Sequence, residues 1–456
     1  MKKYDAIIIG SGMGGRTVAT DLARAGKQVL MVEKCAEMLG GVYLNEGGIP
    51  ANALAFKAQY SAQRDGMFIE QTAGYRTAIQ DKDILIASLR ETCCDALGRT
   101  DNITVQIGTA SLAGEHLVRI ENEQGDVTVQ GDKIFINTGA VPIIPDIQGI
   151  RESRYVYTSS TIFRLKELPK RMIVIGGGYL GLEFASIYSH FGSSVTIVEK
   201  QENFLPNEDE EIATAVKDSF LKRKIGLLLA STVIKIEDVR GCALLTIQTP
   251  AGEELLYADA VLIAAGRKPN VAELNLRSAG VELSRTGGIR VDEYLRTTAP
   301  DIWALGDVTG EEQFQAISLD DARIIRSQLL GDKKRTLNNR GQFPYCVSVS
   351  PAFARIGLTE KEARGRGFSV KIARMKSEES SQSRIIGVRW GLLKAVVDAN
   401  TNQILGVHLF SAMAHETINL AKAVMDAGVP YTALRDGIFT HPSMTEAFNG
   451  LFEHLE

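Results

Sequence analysis

The chain has 456 residues, 45% of them hydrophobic and 23% charged, with a formal net charge of −4. That length accommodates about three domains, the composition is that of a soluble globular protein, and the charge gives no electrostatic case for nucleic acid or an anionic membrane surface. No run approaches the ~18 apolar residues of a transmembrane helix, and five cysteines without framework spacing fit a reducing cytoplasm.

Lys2-Lys3 before a brief apolar run is too short for a signal peptide and reads as the approach to a first strand. Tyr4–Ile9 contains Ala-Ile-Ile-Ile, suited to a strand buried on both faces. It runs into a glycine fingerprint, GSGMGG. Gly10 allows the tight turn, Gly12 lets the backbone approach a pyrophosphate, and Gly15 lets the next helix pack closely. Arg16–Ala25 carries a helical pattern whose N-terminus would aim amide N–H groups at phosphates. The next strand, Gln28–Val32, ends at Glu33, placed to accept hydrogen bonds from ribose hydroxyls.

The same logic recurs later. Met172–Ile175 is a strand, GGGYLG supplies Gly176, Gly178 and Gly181, Leu182–Phe191 is a helix, and Val195–Val198 leads to Glu199. A carboxylate there binds a free 2′-hydroxyl and repels a 2′-phosphate. No arginine follows before Arg223, so NADH is expected rather than NADPH. Two such units in one chain imply two dinucleotides held at once and electron transfer between them.

Further along stand Ile134-Phe-Ile-Asn-Thr138-Gly139-Ala140, a second strand-and-turn ending in Gly266-Arg267-Lys-Pro269-Asn270, Ile302-Trp-Ala-Leu-Gly306-Asp307, and Thr440-His441-Pro442-Ser-Met-Thr-Glu446. Together these resemble the pyridine nucleotide–disulfide oxidoreductases, a family that includes dihydrolipoamide dehydrogenase, glutathione reductase and mercuric reductase. The C-terminal wording is most similar to the bacterial reactive-chlorine-resistance flavoproteins. The resemblance implies an α/β fold with two Rossmann-like, doubly wound dinucleotide-binding domains and a C-terminal α+β dimerisation domain. FAD would occupy residues 1–148 and 269–338, NAD(P) residues 149–268, and residues 339–456 would form the interface of a homodimer. Strands are expected at Pro344–Val349, Leu393–Asp398 and Ile404–Leu409, and a helix at Thr417–Ala427.

By the same resemblance, Glu33 holds the adenosine ribose of FAD, Ala110 contacts the adenine through its backbone, Asp307 binds the ribityl or phosphate region, and Ala316 lies near the isoalloxazine. Lys34, Gly41, Gly48, Thr138, Gly139 and Gly266 complete the expected cofactor set. Glu183 would lie beside flavin N5. His441 of one subunit would reach the partner's flavin, with Glu446 orienting and charging its imidazole.

One departure stands out. The family places its redox disulfide in a G-G-x-C-x4-C segment. Here the frame begins at Gly40-Gly41, but Tyr43 stands at the first cysteine, Gly48 at the second, and Asn52 replaces the usual lysine. Cys35, Cys93, Cys94, Cys242 and Cys346 lie elsewhere, and no metal-ligand spacing is present. A glycine at 48 is expected to open space over the flavin for a planar substrate. Tyr43 would either supply a hydrogen bond or proton there or simply fill the vacated volume. Without a lysine at 52, the flavin potential should fall, or Glu183 should become protonated. The reading is an FAD-dependent oxidoreductase that passes electrons from NADH to a small acceptor, such as a quinone or an activated C=C bond. The alternatives are a redox-state sensor, a metal-ion reductase, or a disulfide reductase that recruits a cysteine from outside the frame.

Overall fold

The structure is a computed structural model that describes residues 1–62, 67–388 and 390–456. The chain divides into two compact units. The first comprises Met1–Ala53, Ile79–Ile143 and Gly266–Arg340; the second comprises Leu54–Ala78, Ile144–Ala265 and Gly341–Glu456.

The first unit is built on a sheet whose parallel strands run in the order Ile103–Ile107, Val29–Glu33, Lys3–Ile9, Val127–Ile136 and Ile302–Ala304. Side chains alternate across a pleated strand, so the apolar run at the N-terminus feeds two cores. Ile7 and Ile9 join one face with Leu30 and Val32. Ala6 and Ile8 join the other with Val29, Met31, Phe135 and Trp303. Helix Met13–Arg24 turns Val18, Ala19 and Leu22 onto that second face. A sheet covered on both sides needs the near-continuous apolar strands that the sequence displays.

The second unit contains another parallel sheet, ordered Gly226–Leu228, Ser194–Val198, Arg171–Ile175, Ala260–Ile263 and Val156–Thr158. Its C-terminal part is an antiparallel sheet: Tyr345–Val347, Ala352–Gly357, Ile404–Ser411, Leu392–Asp398 and Val370–Lys376. Helices Ala414–Asp426 and Ala447–Glu453 pack their apolar faces on it. The α/β architecture with a C-terminal α+β portion is the one expected.

The expected nucleotide and interface portions fall in the same compact unit, and a buried ionic hub shows why. Lys394, on a central strand of the antiparallel sheet and 3% exposed, reaches Asp209 at 2.9 Å, Glu211 at 2.5 Å and Glu360 at 2.9 Å. Asp209 and Glu211 open the helix that follows the nucleotide-side strands. A buried ammonium needs such partners, because an unpaired one would be driven to neutralise. No described helix is long and apolar enough to cross a membrane.

Candidate functional site

In the first unit, the strand Lys3–Ile9 ends in a turn that only glycine tolerates. Gly10 has φ +96°, and a Cβ there would stand 2.4 Å from the carbonyl oxygen of Asn137. The crossing residue is thus part of the device. Asn137 Oδ1 accepts the backbone N–H of Gly15 at 2.9 Å, while its Nδ2 donates to the Leu305 carbonyl at 2.8 Å. One side chain ties the fingerprint helix to the strand before Gly306. Thr138 and Gly139 follow, pinned to Asn270 by the Thr138 hydroxyl at 2.8 Å and by the Asn270 N–H to the Gly139 carbonyl at 2.9 Å.

Glu33 is buried at the end of its strand, with both carboxylate oxygens fixed. One accepts the N–H of Ser11 at 2.9 Å and its hydroxyl at 2.6 Å; the other accepts the N–H of Lys34 at 2.8 Å. Fixed lone pairs remain for a ribose diol. Lys34 contributes its amide, and its ammonium pairs with Glu273 at 2.6 Å. Ala110 lies on the strand Thr109–Leu112, two residues beyond Gly108, whose N–H donates to the Glu33 carbonyl at 2.9 Å. Gly41 abuts Gly12, so close that a Cβ on Gly41 would be 2.7 Å from the Gly12 Cα.

Asp307 is a partly buried carboxyl in the short turn Gly306–Thr309. Burial pushes its pKa up, and the Arg267 guanidinium pulls it part of the way back. Arg267, which follows Gly266, is itself partly buried and donates to the Ala140 carbonyl. Burial lowers its pKa against the pull of Asp307 and Glu46. Ala316 is exposed in the first turn of the helix Gln315–Leu330, where backbone N–H groups lack intrahelical partners. The turn that a Cβ would close at Gly10, the fixed Glu33 and the partly buried Asp307 fit a flavin dinucleotide.

The expected redox frame is folded as two helices, Val42–Asn45 and Gly48–Ala62. Here one expectation is corrected. Gly48 opens no space, because the ring of Tyr43 already lies where its side chain would be. A Cβ at position 48 would stand 2.2 Å from Tyr43 Cε2 and 2.7 Å from Cζ. Tyr43 fills the volume, and its remaining 40% exposure leaves the outer edge of the ring accessible. Asn52 bonds back to its own helix, Nδ2 to the Gly48 carbonyl at 2.8 Å.

In the second unit the fingerprint repeats. Gly176 has φ +110° and crosses under the Ala264 carbonyl, and a Cβ on Gly181 would strike the Gly176 carbonyl oxygen. Gly178 caps the helix Tyr179–Phe191. Glu199 accepts the N–H of Gly177 at 2.6 Å. Arg223, the first arginine after it, is held by Ser186 and His190 in the C-terminal half of that helix, away from the fingerprint end. Glu183 is partly buried and accepts the Ser348 N–H at 2.7 Å; burial raises its pKa and Ser348 opposes the rise. His441 Nδ1 lies 2.8 Å from both Glu446 oxygens, and its ring is two-thirds exposed. A doubly received Nδ1–H leaves Nε2 facing outward.

Sequence reasoning passed over Ser11, Asn137 and Asp321, which accepts the Gly306 N–H at 2.7 Å. It also missed Glu208, which accepts the hydroxyls of Tyr345, at 2.6 Å, and of Tyr179 inside the second fingerprint. For Asn137 a signal existed, since it immediately precedes Thr138-Gly139. Among the described residues no group of three or more histidines, cysteines or carboxylates is placed to hold a metal.

Two nucleotide-binding sheets, each with a glycine turn and a fixed acid, followed by an antiparallel sheet, define a flavin- and pyridine-nucleotide-dependent oxidoreductase architecture. Residues 4–324 match the pyridine nucleotide-disulphide oxidoreductase family and residues 343–451 its dimerisation domain. The chain belongs to that family, whose members use FAD and pyridine nucleotides. It is 41% identical to the probable pyridine nucleotide-disulfide oxidoreductase RclA of Escherichia coli K12, over 99% of each chain. It is 30% identical to the mercuric reductase of Staphylococcus aureus, over 97% of this chain and 81% of that one. It is also 30% identical to a soluble pyridine nucleotide transhydrogenase of Mycobacterium bovis, over 98% and 96%. The Cu(II) complex of the HOCl-induced flavoprotein disulfide reductase RclA from E. coli superposes with a TM-score of 0.94 at 40% identity, covering 99% of each chain.

Proposed function

We propose that this protein is an FAD-dependent NAD(P)H oxidoreductase that delivers electrons directly from the flavin to a small acceptor, without a disulfide relay. The observation that carries the reading is the pair Tyr43–Gly48. An aromatic ring and a glycine occupy the two positions at which the family frame carries cysteines, and they pack into one another. FAD, when bound, supplies two-electron chemistry between a pyridine nucleotide and an acceptor. The chain's own residues do the rest. Glu33 and Glu199 orient the two riboses, and Glu199 without an adjacent arginine favours NADH. Burial favours a protonated Glu183. His441, steadied by Glu446, would hold a proton at Nε2 for the acceptor, within a homodimer built by the C-terminal portion. Five unpaired cysteines suit a cytoplasmic setting.

A second reading, disulfide reduction, is favoured by the similarity to the E. coli flavoprotein disulfide reductase. It would need a recruited thiol, and the thiols here are poorly poised. Burial pushes Cys346 up to about 12, with Glu183 adding to the rise, and burial also raises Cys93 against the pull of Arg16. Anaerobic titration with NADH, with thiols counted before and after, separates the readings. The direct path predicts no change in thiol count and turnover with a quinone that exceeds turnover with glutathione disulfide. Two new thiols per flavin would overturn it. A Cu(II) arm in the same acceptor panel tests metal reduction.

A further inference from the structure

The first unit carries an open cleft of about 1030 Å³ formed by the helices Met13–Arg24 and Gln315–Leu330 and the loop after the second. Arg323, Arg326 and Ser327 project from one helical stripe toward it, and Lys334 and Arg335 close it from the loop. Its lining holds four cations against two carboxylates, Asp21 and Asp332. Cations past a helix C-terminus suit the helix dipole, and Lys334 and Arg335 alone would satisfy it. Arg326 and Arg323 lie about one and two turns back, on the same face, and the dipole, which fades beyond the last turn, does not account for Arg323.

The pairing of these groups leaves donors turned toward the cleft. Arg323 and Lys334 make no side-chain hydrogen bond or ion pair among the described residues. Arg326 presents Nε to Asp21 at 4.0 Å, too long for a hydrogen bond, so its terminal nitrogens remain. Arg335 spends Nε and Nη2 on Asp320, leaving Nη1. Of the two cleft carboxylates, Asp332 is already committed to shaping it. Asp332 accepts the Ser327 hydroxyl at 2.9 Å and the Lys334 N–H at 3.2 Å, which sets the loop. Asp21 has an enclosed Oδ2 without a hydrogen bond, beside Arg326. Planar guanidinium forks match phosphate oxygens two at a time, and an ammonium adds a point charge.

We propose that this cleft binds a chain of linked phosphates, from a nucleoside polyphosphate or from inorganic polyphosphate. The volume far exceeds that of a single phosphate ion and lies at the upper end of small-ligand pockets. Successive cations along the cleft suit successive phosphates.

The test is calorimetric titration of the flavin-loaded protein, with excess NAD present to fill the second fingerprint, using tripolyphosphate and ATP as separate probes. One saturable site per chain is expected, weakening as salt rises. Arg323→Gln and Arg326→Gln should each weaken it about tenfold, while Arg285→Gln, on an exposed turn elsewhere in the same unit, should leave it unchanged. Equal affinity for both probes assigns an inorganic chain, and tighter ATP binding assigns a nucleotide. Absence of saturable binding by either probe, or equal affinity in the Arg323→Gln/Arg326→Gln double variant, overturns the proposal. Dye reduction by NADH in each variant verifies that the fold is intact.

Discussion

Tyr43 and Gly48 can be tested as a single packing unit. An alanine at 48 places its Cβ 2.2 Å from Tyr43 Cε2 and within 2.8 Å of Cζ and Cδ2, whereas carbon atoms in contact settle at about 3.5–4.0 Å. The ring must therefore move by more than an ångström. Tyr43 is part exposed, so it can swing outward, and the cost should fall in the range of ordinary overpacking, about 1–3 kcal/mol. For a unit of this size, at about 2–4 °C per kcal/mol, that amounts to a fall of roughly 2–12 °C in the flavin-fluorescence thermal transition. In a Tyr43→Ala background the clash disappears. Gly48→Ala should then be neutral or stabilising by up to ~1 kcal/mol, because alanine loses less conformational freedom than glycine in a helix. The double-mutant cycle should thus yield a coupling energy of about 1–4 kcal/mol. If Gly48→Ala costs as much without the ring as with it, the ring is not what excludes a side chain at 48, and the account of the site collapses.

Restoring both cysteines, Tyr43→Cys with Gly48→Cys, should add two thiols per flavin to the count after NADH reduction, while Gly48→Cys alone adds none. His441→Ala should reduce turnover with a quinone by about 10²–10⁴-fold while leaving flavin content unchanged, and Glu446→Gln should do so less severely with an altered pH profile. Glu33→Ala strands the amides of Ser11 and Lys34, so reconstitution of apoprotein should show FAD bound at least about tenfold more weakly. His408 is fully buried, and burial lowers its pKa to about 4, against the pull of Asp209. The unfolded chain therefore binds more protons between about 4 and 6.5, and stability rises with pH across that window. His408→Gln should flatten the rise, by at most ~3 kcal/mol; denaturation midpoints unchanged in slope between pH 4.5 and 6.5 would contradict this.

The parts of the fold that local chemistry dictates were legible. Short apolar runs such as Ala6–Ile9, ending at a glycine turn, read as doubly covered strands, and the two glycine turns are steric necessities at φ +96° and +110°. Helix starts were less legible: the first begins at Met13 rather than Arg16, inside the fingerprint, with Gly12 as its N-cap. The supports of the site were not legible. Asn137 lies 122 residues from Gly15, and Glu208 lies 29 from Tyr179. Such contacts are made by tertiary pairing, and no period or motif marks them. Tyr43 shows the limit most clearly. Space opened at 48 and space filled by 43 were both compatible with the sequence, and only the rotamer of one ring separates them.

That ring also bears on where electrons leave the protein. A relay requires two sulfurs that can meet, one of them readily a thiolate. Cys93 and Cys94 are neighbours on a helix, projecting about 100° apart, so they do not form a bond without unwinding it. Burial raises Cys35, Cys93 and Cys346 alike, away from the thiolate. Within the frame, the two replacements constrain each other. A cysteine restored at 48 drives its Cβ into Tyr43, and a cysteine restored at 43 faces a glycine with nothing to bond. Tyr43 and Gly48 therefore act physically as one change. A pair that must alter together to regain a disulfide, and that packs well as it stands, supports the proposed direct path from the flavin.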